Sequence, residues 1–459
     1  MILARLLMPD DFGLVALATA IVAGIELLTA FNFDVVLISE PKIDDELLHS
    51  TFSLSLILSF GLAMALCLFA VPVANFMKEP RLAILLPIFG LNAFLQGGYS
   101  VGLLLLRKNF QFRREFIFLL TKRVIGFCAT VGMAFWFRDY RALIVGVLTA
   151  SVCGLILSYV VHPYRPRFQL TRAKWLFGKA RSLLLTNVIV FAHSRLNDLL
   201  VGRLAGNRAL GIFSLANDLA TLFSTQLTMV INRVSLTGFS EIKGDPKRTS
   251  AAYVEIRSLA LLILLPAATG MALVADLAVA VLLGEKWLEV VAPLRWLAFA
   301  SMFTGLMSLS TALNNATGDF SIVTRQYALL CVLTPLAVAC GITLGNLPGA
   351  AMGLLLVTGT MFSLDVWLLK RLRGIRISEF WGSIWRPALG CLVMWLIVVL
   401  VKLTLPPMTE IFKLVILILV GGTTYVATVG LLWLLSKTPN GAEERVLSIT
   451  LGRIRRKMG

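Results

Sequence analysis

Four polar residues lie on one face of a segment that is otherwise apolar enough to cross a membrane. The segment spans 182–204, and these residues are Asn187, Ser194, Arg195 and Asp198. At 100° per residue they fall within about a third of the helix circumference. A charge at the bilayer centre costs about 2.5–3.5 kcal/mol, so this stripe is expected to face protein or a hydrated cavity. An arginine in such a cavity can bind phosphate through charge-assisted hydrogen bonds.

The same stripe also has a purely structural interpretation. Arg195 and Asp198 stand at positions i and i+3, where they can neutralise each other so that the membrane tolerates the helix. The next segment, 210–236, has a similar polar face that includes Asn217 and Asp218. Hydroxyl groups on this face can bond back to their own backbone. The sequence therefore leaves both a phosphate-binding surface and a structural ion pair open.

Further intramembrane charges complete the set of candidate residues. Glu26 and Asp34 are candidates for binding a coupling proton or cation. The substrate-binding candidates are Arg123, Asn187, Arg195, Asp198, Asn217, Asp218 and Arg233. Long side chains such as those of Arg123 and Arg233 often extend to the interface instead. The chain has no GxxxxGK[ST] or HExxH motif and no His/Cys cluster, so we expect no catalytic residue, cofactor or metal.

The composition determines the class of protein to which these residues belong. Of 459 residues, 58% are hydrophobic and 15% are charged, and the mean hydropathy is +0.86. A soluble domain has about 25% charged residues. These values exclude an aqueous enzyme, a fibrous protein and a disordered tail. They predict an all-α, polytopic membrane protein with thirteen apolar segments of about 20 residues or more, preceded by a short stub at 1–7.

The chain also resembles itself at a fixed offset. Arg203 and Gly211 each follow a matching residue, Arg5 and Gly13, by 198 positions. A second matching pair, formed by glutamate and proline, is offset by 206, and the additional residues fall in a longer polar loop of the second half. Two matches in order along the chain favour a duplicated unit. The stub would then be the end of a first helix, so we expect fourteen spans in the complete protein, with this sequence beginning inside the first.

A repeat of six spans places both halves in the membrane with the same orientation. We therefore predict two six-helix bundles related by a pseudo-twofold axis along the membrane normal, followed by two C-terminal helices. The predicted boundaries are an N-terminal lobe at 1–165 with an incomplete first helix and a C-terminal lobe at 166–380. Two further helices follow at 381–435, and a basic tail occupies 436–459.

The basic residues predict the orientation. There are 42 Lys and Arg against 25 Asp and Glu, a net charge of +17, and they lie mainly in alternate gaps between apolar segments. With a cytoplasmic N-terminus, the inside gaps hold more than twice as many Lys and Arg as the outside gaps, as the positive-inside rule requires. We therefore expect both termini in the cytoplasm, a tail that contacts anionic lipids, and no nucleic-acid partner.

Four motifs along the chain resemble those of one known family of membrane proteins. The segment Leu3–Ala16, LARLLMPDDFGLVA, is similar to the opening of that family. RLNDLLVGRL at Arg195–Leu204 and ALGIFSLA at Ala209–Ala216 resemble its seventh and eighth helices. LLGEKW at Leu282–Trp287, followed by Ala-Pro-Leu, resembles its ninth-to-tenth loop. The family that these motifs resemble is that of the Wzx-type oligosaccharide flippases, which belong to the multidrug/oligosaccharidyl-lipid/polysaccharide exporter superfamily.

This resemblance implies a function and a set of partners. It implies fourteen helices around a central cavity and the export of an undecaprenyl-diphosphate-linked oligosaccharide across a bacterial inner membrane by alternating access. It also implies contact with membrane lipids, and it leaves a polysaccharide polymerase and chain-length or export proteins open as partners. The alternatives are a multidrug exporter of the same superfamily, which needs an acidic cavity, and an integral-membrane polysaccharide polymerase, which needs a large external loop.

Overall fold

The computed structural model describes residues 2–26, 33, 37, 43–109, 111–242, 245–373, 377–406 and 408–436. Its regular structure in these residues is helical, which is the form in which a single segment satisfies its own backbone in lipid. In chain order the α-helices are α1 Ile2–Leu6, α2 Pro9–Glu26, α3 Asp45–Met77, α4 Leu82–Gly97, α5 Gly102–Lys108, α6 Phe112–Phe137, α7 Arg141–Val161, α8 Ala173–Ala205, α9 Asn207–Ile242, α10 Pro246–Leu282, α11 Val291–Thr317, α12 Phe320–Arg373, α13 Ile377–Thr404 and α14 Glu410–Leu435.

The helices confirm the prediction of a multi-pass membrane protein. Within the described residues, eight are long and apolar enough to cross a bilayer, and α4 is apolar but shorter. The long α12 is interrupted at Gly345 and Asn346, where the backbone leaves helical geometry. This break lies where the sequence separates two predicted spans. The total of fourteen spans, the two-bundle arrangement and the lobe boundaries stay predictions.

The chain divides into two compact units, Met1–Gly211 and Ile212–Gly459. In the first unit, α3 packs on α4, α6 packs on α7, and α2 packs on α8. Small residues allow these helices to approach closely. A Cβ atom added to Gly126 of α6 would lie 2.8 Å from Ala150 of α7, for example.

Alternate connections of the first unit gather at opposite ends. At one end, Asn207 after α8 donates a hydrogen bond to Glu79 after α3, and the Arg81 guanidinium lies 5.9 Å from the centre of the Tyr140 ring. At the other end, the Ser100 N–H, before α5, donates to the hydroxyl of Ser158, near the end of α7, at 3.0 Å. This alternation is what helices running up and down through a membrane produce.

The second unit has its core where α10 packs on α11 and α11 packs on α12. Helices α13 and α14 pack on each other and on α10. The Lys402 ammonium of α13 lies 2.5 Å from the Asp276 carboxylate of α10, which links these elements electrostatically. The last two helices are therefore an integral part of the second unit.

Candidate functional site

The structure brings together the central pair predicted on α8. The Arg195 guanidinium lies 3.4 Å from the Asp198 carboxylate, and the two side chains are 47% and 18% exposed. The pair thus has the i, i+3 geometry expected of mutual neutralisation. Because nearly half of the arginine side chain remains exposed, it also retains surface with which to contact an anion. Its role as a phosphate-binding residue stays a prediction.

On α9, Asn217 is partly buried and Asp218 is exposed. The Thr221 hydroxyl donates to the Asn217 backbone carbonyl at 2.8 Å, and the Thr228 hydroxyl donates to the carbonyl of Ser224 at 2.6 Å. The hydroxyl groups of this face therefore bond back to their own helix, as the structural interpretation expects. Asn217 and Asp218 stay candidates on the strength of the sequence alone.

The remaining candidates are dispersed. Arg123 is exposed in the middle of α6, and Glu26 is exposed at the end of α2. Asp34 lies outside the described residues, and the side chains of Asn187 and Arg233 lie outside the described ones. Among the described residues, no three His, Cys, Asp or Glu side chains form a group that could hold a metal.

The first turns of α2 and α9 cross at two glycines. A Cβ atom on Gly13 would overlap the carbonyl oxygen of Asn207, and a Cβ atom on Gly211 would overlap that of Pro9. The contact is reciprocal, since Asn207 follows Pro9, and Gly211 follows Gly13, by the same 198 positions. Such a reciprocal contact is what a two-fold relation between the predicted repeats would produce. Only glycine lets the two backbones touch here.

Charged side chains surround this glycine crossing. Asp10 lies 3.8 Å from the Arg208 guanidinium, and these two residues are again 198 positions apart. The Asp11 carboxylate accepts a hydrogen bond from the Tyr140 N–H at 3.1 Å, which fastens the start of α2 to the α6–α7 connection. The crossing is therefore held by backbone contact at its centre and by polar contacts at its rim.

The second unit contains a buried cation and a buried anion that hydroxyl groups connect. Arg257 is 5% exposed and Asp365 is 2% exposed. The Arg257 guanidinium donates to the Tyr253 oxygen at 2.9 Å, and the Tyr253 and Ser310 hydroxyls lie 2.7 Å apart. The Asp365 carboxylate accepts from Ser310 at 2.5 Å and from the Gln326 amide at 3.0 Å. These five residues are called the buried network below.

The hydrogen bonds of the buried network all run in one direction. Because arginine only donates, the Tyr253 oxygen accepts from Arg257 and its hydroxyl is left to donate to Ser310. Ser310 in turn donates to the Asp365 carboxyl group. The chain thus leads from the cation to the anion and connects α10, α11 and both halves of α12. The Arg257 guanidinium also lies 4.5 Å from the centre of the Phe362 ring, a favourable cation–π distance.

The sequence alone did not indicate this network. Asp365 gave a usable signal, because it is an isolated acid in the apolar segment 349–369, and intramembrane acids are rare and partnered. Arg257 gave no such signal, because it precedes the apolar segment predicted at 258–283. The helix that carries it begins well upstream, at Pro246.

Comparison with known proteins identifies the family. Residues 2–292, more than half of the chain, match the family model described as "Polysaccharide biosynthesis protein". The chain belongs to this family. One relative is the succinoglycan biosynthesis transport protein ExoT of Rhizobium meliloti (strain 1021). It is 26% identical over 86% of this chain and 81% of its own length.

Two further comparisons accompany the family match. The lipopolysaccharide biosynthesis protein WzxC of Escherichia coli (strain K12) is 23% identical over 84% of this chain and 80% of its own length. Among solved structures, the lipid II flippase MurJ in an inward closed conformation superposes with a TM-score of 0.70 at 17% identity, covering 92% of this chain and 93% of MurJ. The last comparison shows that the two proteins share a fold.

Proposed function

We propose that this protein moves a lipid-linked oligosaccharide across a bacterial inner membrane for the synthesis of a surface polysaccharide. The observation that carries the proposal is the family match over residues 2–292 in a chain whose helices are long enough to cross a bilayer. The names of the relatives, succinoglycan biosynthesis transport in one and lipopolysaccharide biosynthesis in another, support the same conclusion. The proposed substrate is an undecaprenyl-diphosphate-linked repeat unit, and the proposed action is transport without a chemical step on the sugar.

The proposed mechanism is alternating access between the two lobes predicted at 1–165 and 166–380. The polar head group crosses while its polyprenyl tail remains in lipid. The interior of the cell is electrically negative, so the outward movement of one net negative charge is favourable. It releases about 2.3 kcal/mol of free energy per 100 mV of membrane potential. A diphosphate head group therefore supplies a driving force without ATP. Glu26 and Asp34 stay proposed sites for a coupling proton or cation.

Arg195 is the proposed contact for the diphosphate. Its guanidinium is half exposed and oriented by Asp198, and it can donate two parallel hydrogen bonds to phosphate oxygens. Before substrate binds, Asp198 partly neutralises the arginine and so lowers the free-energy cost of keeping this charge within the membrane. The other proposed contacts are Arg123, Asn187, Asp198, Asn217, Asp218 and Arg233.

Replacing Arg195 with alanine is expected to lower polysaccharide output by at least about tenfold in a strain that lacks its own flippase. A hydrogen bond to a charged group contributes about 1.5–3 kcal/mol, and about 1.4 kcal/mol corresponds to tenfold. Output is measured per molecule of protein in the membrane. Arg141→Ala, which removes a 62% exposed arginine at the start of α7, is the matched control and should leave output unchanged.

Two results would count against this role. Full output from Arg195→Ala at normal expression removes the arginine from the mechanism. A lower amount of protein with unchanged output per molecule assigns Arg195 and Asp198 to the structural ion pair instead. Accumulation of the lipid-linked unit inside the cell, together with loss of the surface polymer, distinguishes transport from polymerisation.

The proposed topology places both termini in the cytoplasm. The chain is a multi-pass membrane protein, and its excess of Lys and Arg in alternate gaps favours this orientation. An alkaline phosphatase fused after Ser436 is expected to be inactive, whereas one inserted at Asp139, between α6 and α7, is expected to be active. The reverse pattern would invert the proposed orientation. A polymerase and chain-length or export proteins are the proposed partners.

A further inference from the structure

The connector between α7 and α8, residues 162–172, is fastened to the beginning of α3. Three of its backbone N–H groups donate to side chains on one face of that helix. The pairs are Arg167 with His49, Gln169 with Ser53 and Arg172 with Ser50, at 3.2, 2.8 and 3.1 Å. The Tyr164 ring also stacks on the His49 ring, with centroids 5.4 Å apart. The connector is therefore a non-helical segment whose backbone is held against α3.

The outward face of the connector is both basic and apolar. Arg165 and Arg167 are exposed, and between them and α8 the Phe168 and Leu170 side chains are 65% and 42% exposed. The Arg165 guanidinium donates to two backbone carbonyls of the connector, at 3.1 and 3.2 Å, which holds the cation in place. Cations beside exposed apolar side chains are the composition that binds the surface of a membrane.

A second source of positive charge adjoins the connector. Arg114 is exposed in the first turn of α6, and its positive charge acts on the His162 imidazole, as that of Arg165 does. The pKa of His162 is lowered by burial and by the positive charges of Arg114 and Arg165. Both guanidinium groups are therefore close enough to His162 to add to one local potential.

Two acidic residues near the connector, Asp44 and Glu46, are paired with another arginine. Arg172 lies 3.9 Å from Asp44 and 3.8 Å from Glu46, so it offsets the negative charge at the start of α3. Asp45 acts on Tyr164, whose pKa is raised to about 12 by burial, by Asp45 and by Tyr159. Arg165 and Arg167 thus keep a positive face beside an acidic helix start.

We propose that this face of the connector is a binding site for anionic phospholipid head groups, with Arg114, Arg165 and Arg167 contacting the phosphates while Phe168 and Leu170 enter the interface. Lipid and the diphosphate of the transported substrate share this phosphate chemistry. The exposed apolar side chains favour the bilayer lipid, because a soluble or deeply bound head group would not cover them. The site does not depend on the proposed transport function.

The test is native mass spectrometry of the purified full-length protein, titrated separately with phosphatidylglycerol and phosphatidylcholine. Each basic residue near an anionic surface strengthens binding about fivefold. The variant Arg165→Gln/Arg167→Gln is therefore expected to weaken phosphatidylglycerol binding by about 25-fold and to leave phosphatidylcholine binding unchanged. Arg167→Gln alone spares the carbonyl contacts of Arg165 and should give an intermediate loss.

The matched control is Arg138→Gln/Arg141→Gln, which removes the same charge from two exposed residues at the α6–α7 connection. An equal loss in the control would overturn the proposal, since only net charge would matter. Unchanged phosphatidylglycerol binding in the connector variant would overturn it as well. Displacement of phosphatidylglycerol by equimolar undecaprenyl diphosphate, but not by more phosphatidylcholine, would assign the face to substrate and also reject the proposal.

Discussion

Replacing Asp365 with alanine is expected to destabilise the protein by about 3–5 kcal/mol, because it leaves the Arg257 charge buried without its anion. The carboxylate is 2% exposed and accepts two hydrogen bonds, so Ser310 and Gln326 lose their partner as well. Asp365→Asn keeps the shape but removes the charge, and it should cost less. Unfolding in detergent, followed by tryptophan fluorescence with increasing denaturant, measures the difference.

Two comparisons separate this network from a general effect of removing an acid. Glu285→Ala removes an exposed acid of the same unit and should change stability by less than about 0.5 kcal/mol. The double variant Arg257→Met/Asp365→Leu removes both charges and should recover much of the loss, since apolar residues often replace a buried pair at little cost. Equal losses in the Asp365 and Glu285 variants would contradict the buried network.

Alanine at Gly13 or at Gly211 is expected to abolish tight packing at the glycine crossing and to destabilise the protein by about 1–3 kcal/mol or more. The added Cβ atom meets a backbone carbonyl, of Asn207 or of Pro9, which cannot rotate away as a side chain would. The two variants should have similar effects, because the contacts are reciprocal. Thermal unfolding in detergent and polysaccharide output per molecule are the measurements.

The matched control for this prediction is the same substitution in open space. A Cβ atom at Gly61 or at Gly132, on α3 and α6, meets no other atom within 4 Å. Because alanine favours a helix over glycine by about 1 kcal/mol, these two variants should be neutral or stabilising. If Gly13→Ala behaved like Gly61→Ala, the backbone contact between α2 and α9 would not exist in the protein.

Much of the helical architecture was accessible from the sequence, because hydropathy decides which segments enter a bilayer. The break in α12 falls in the short polar gap at 345–348, and the α6 and α7 helices match their predicted segments closely. Helix starts were less predictable. The Asp245 carboxylate caps α10 by accepting from two backbone N–H groups, so this helix extends well before its apolar part.

The candidate site was predictable only in part. The Arg195–Asp198 contact follows from helical spacing, which the sequence contains directly. The buried network does not, because it joins residues from three helices, and Tyr253 and Ser310 resemble many other polar residues until packing brings them together. The glycine crossing is intermediate: the offset of 198 was visible in the sequence, but its physical meaning required the contact between Gly13 and Gly211.

The two halves of α12 also bear on how the chain enters the membrane. Gly341 and Gly349 flank the break so closely that a Cβ atom on either would overlap the carbonyl oxygen of the other, so the halves form a tight helical hairpin. Gln326 in the first half already donates to Asp365 in the second. We therefore expect this hairpin to insert as one piece during synthesis, with the acid carrying one hydrogen-bond donor into lipid and Ser310 of the preceding helix α11 supplying the other.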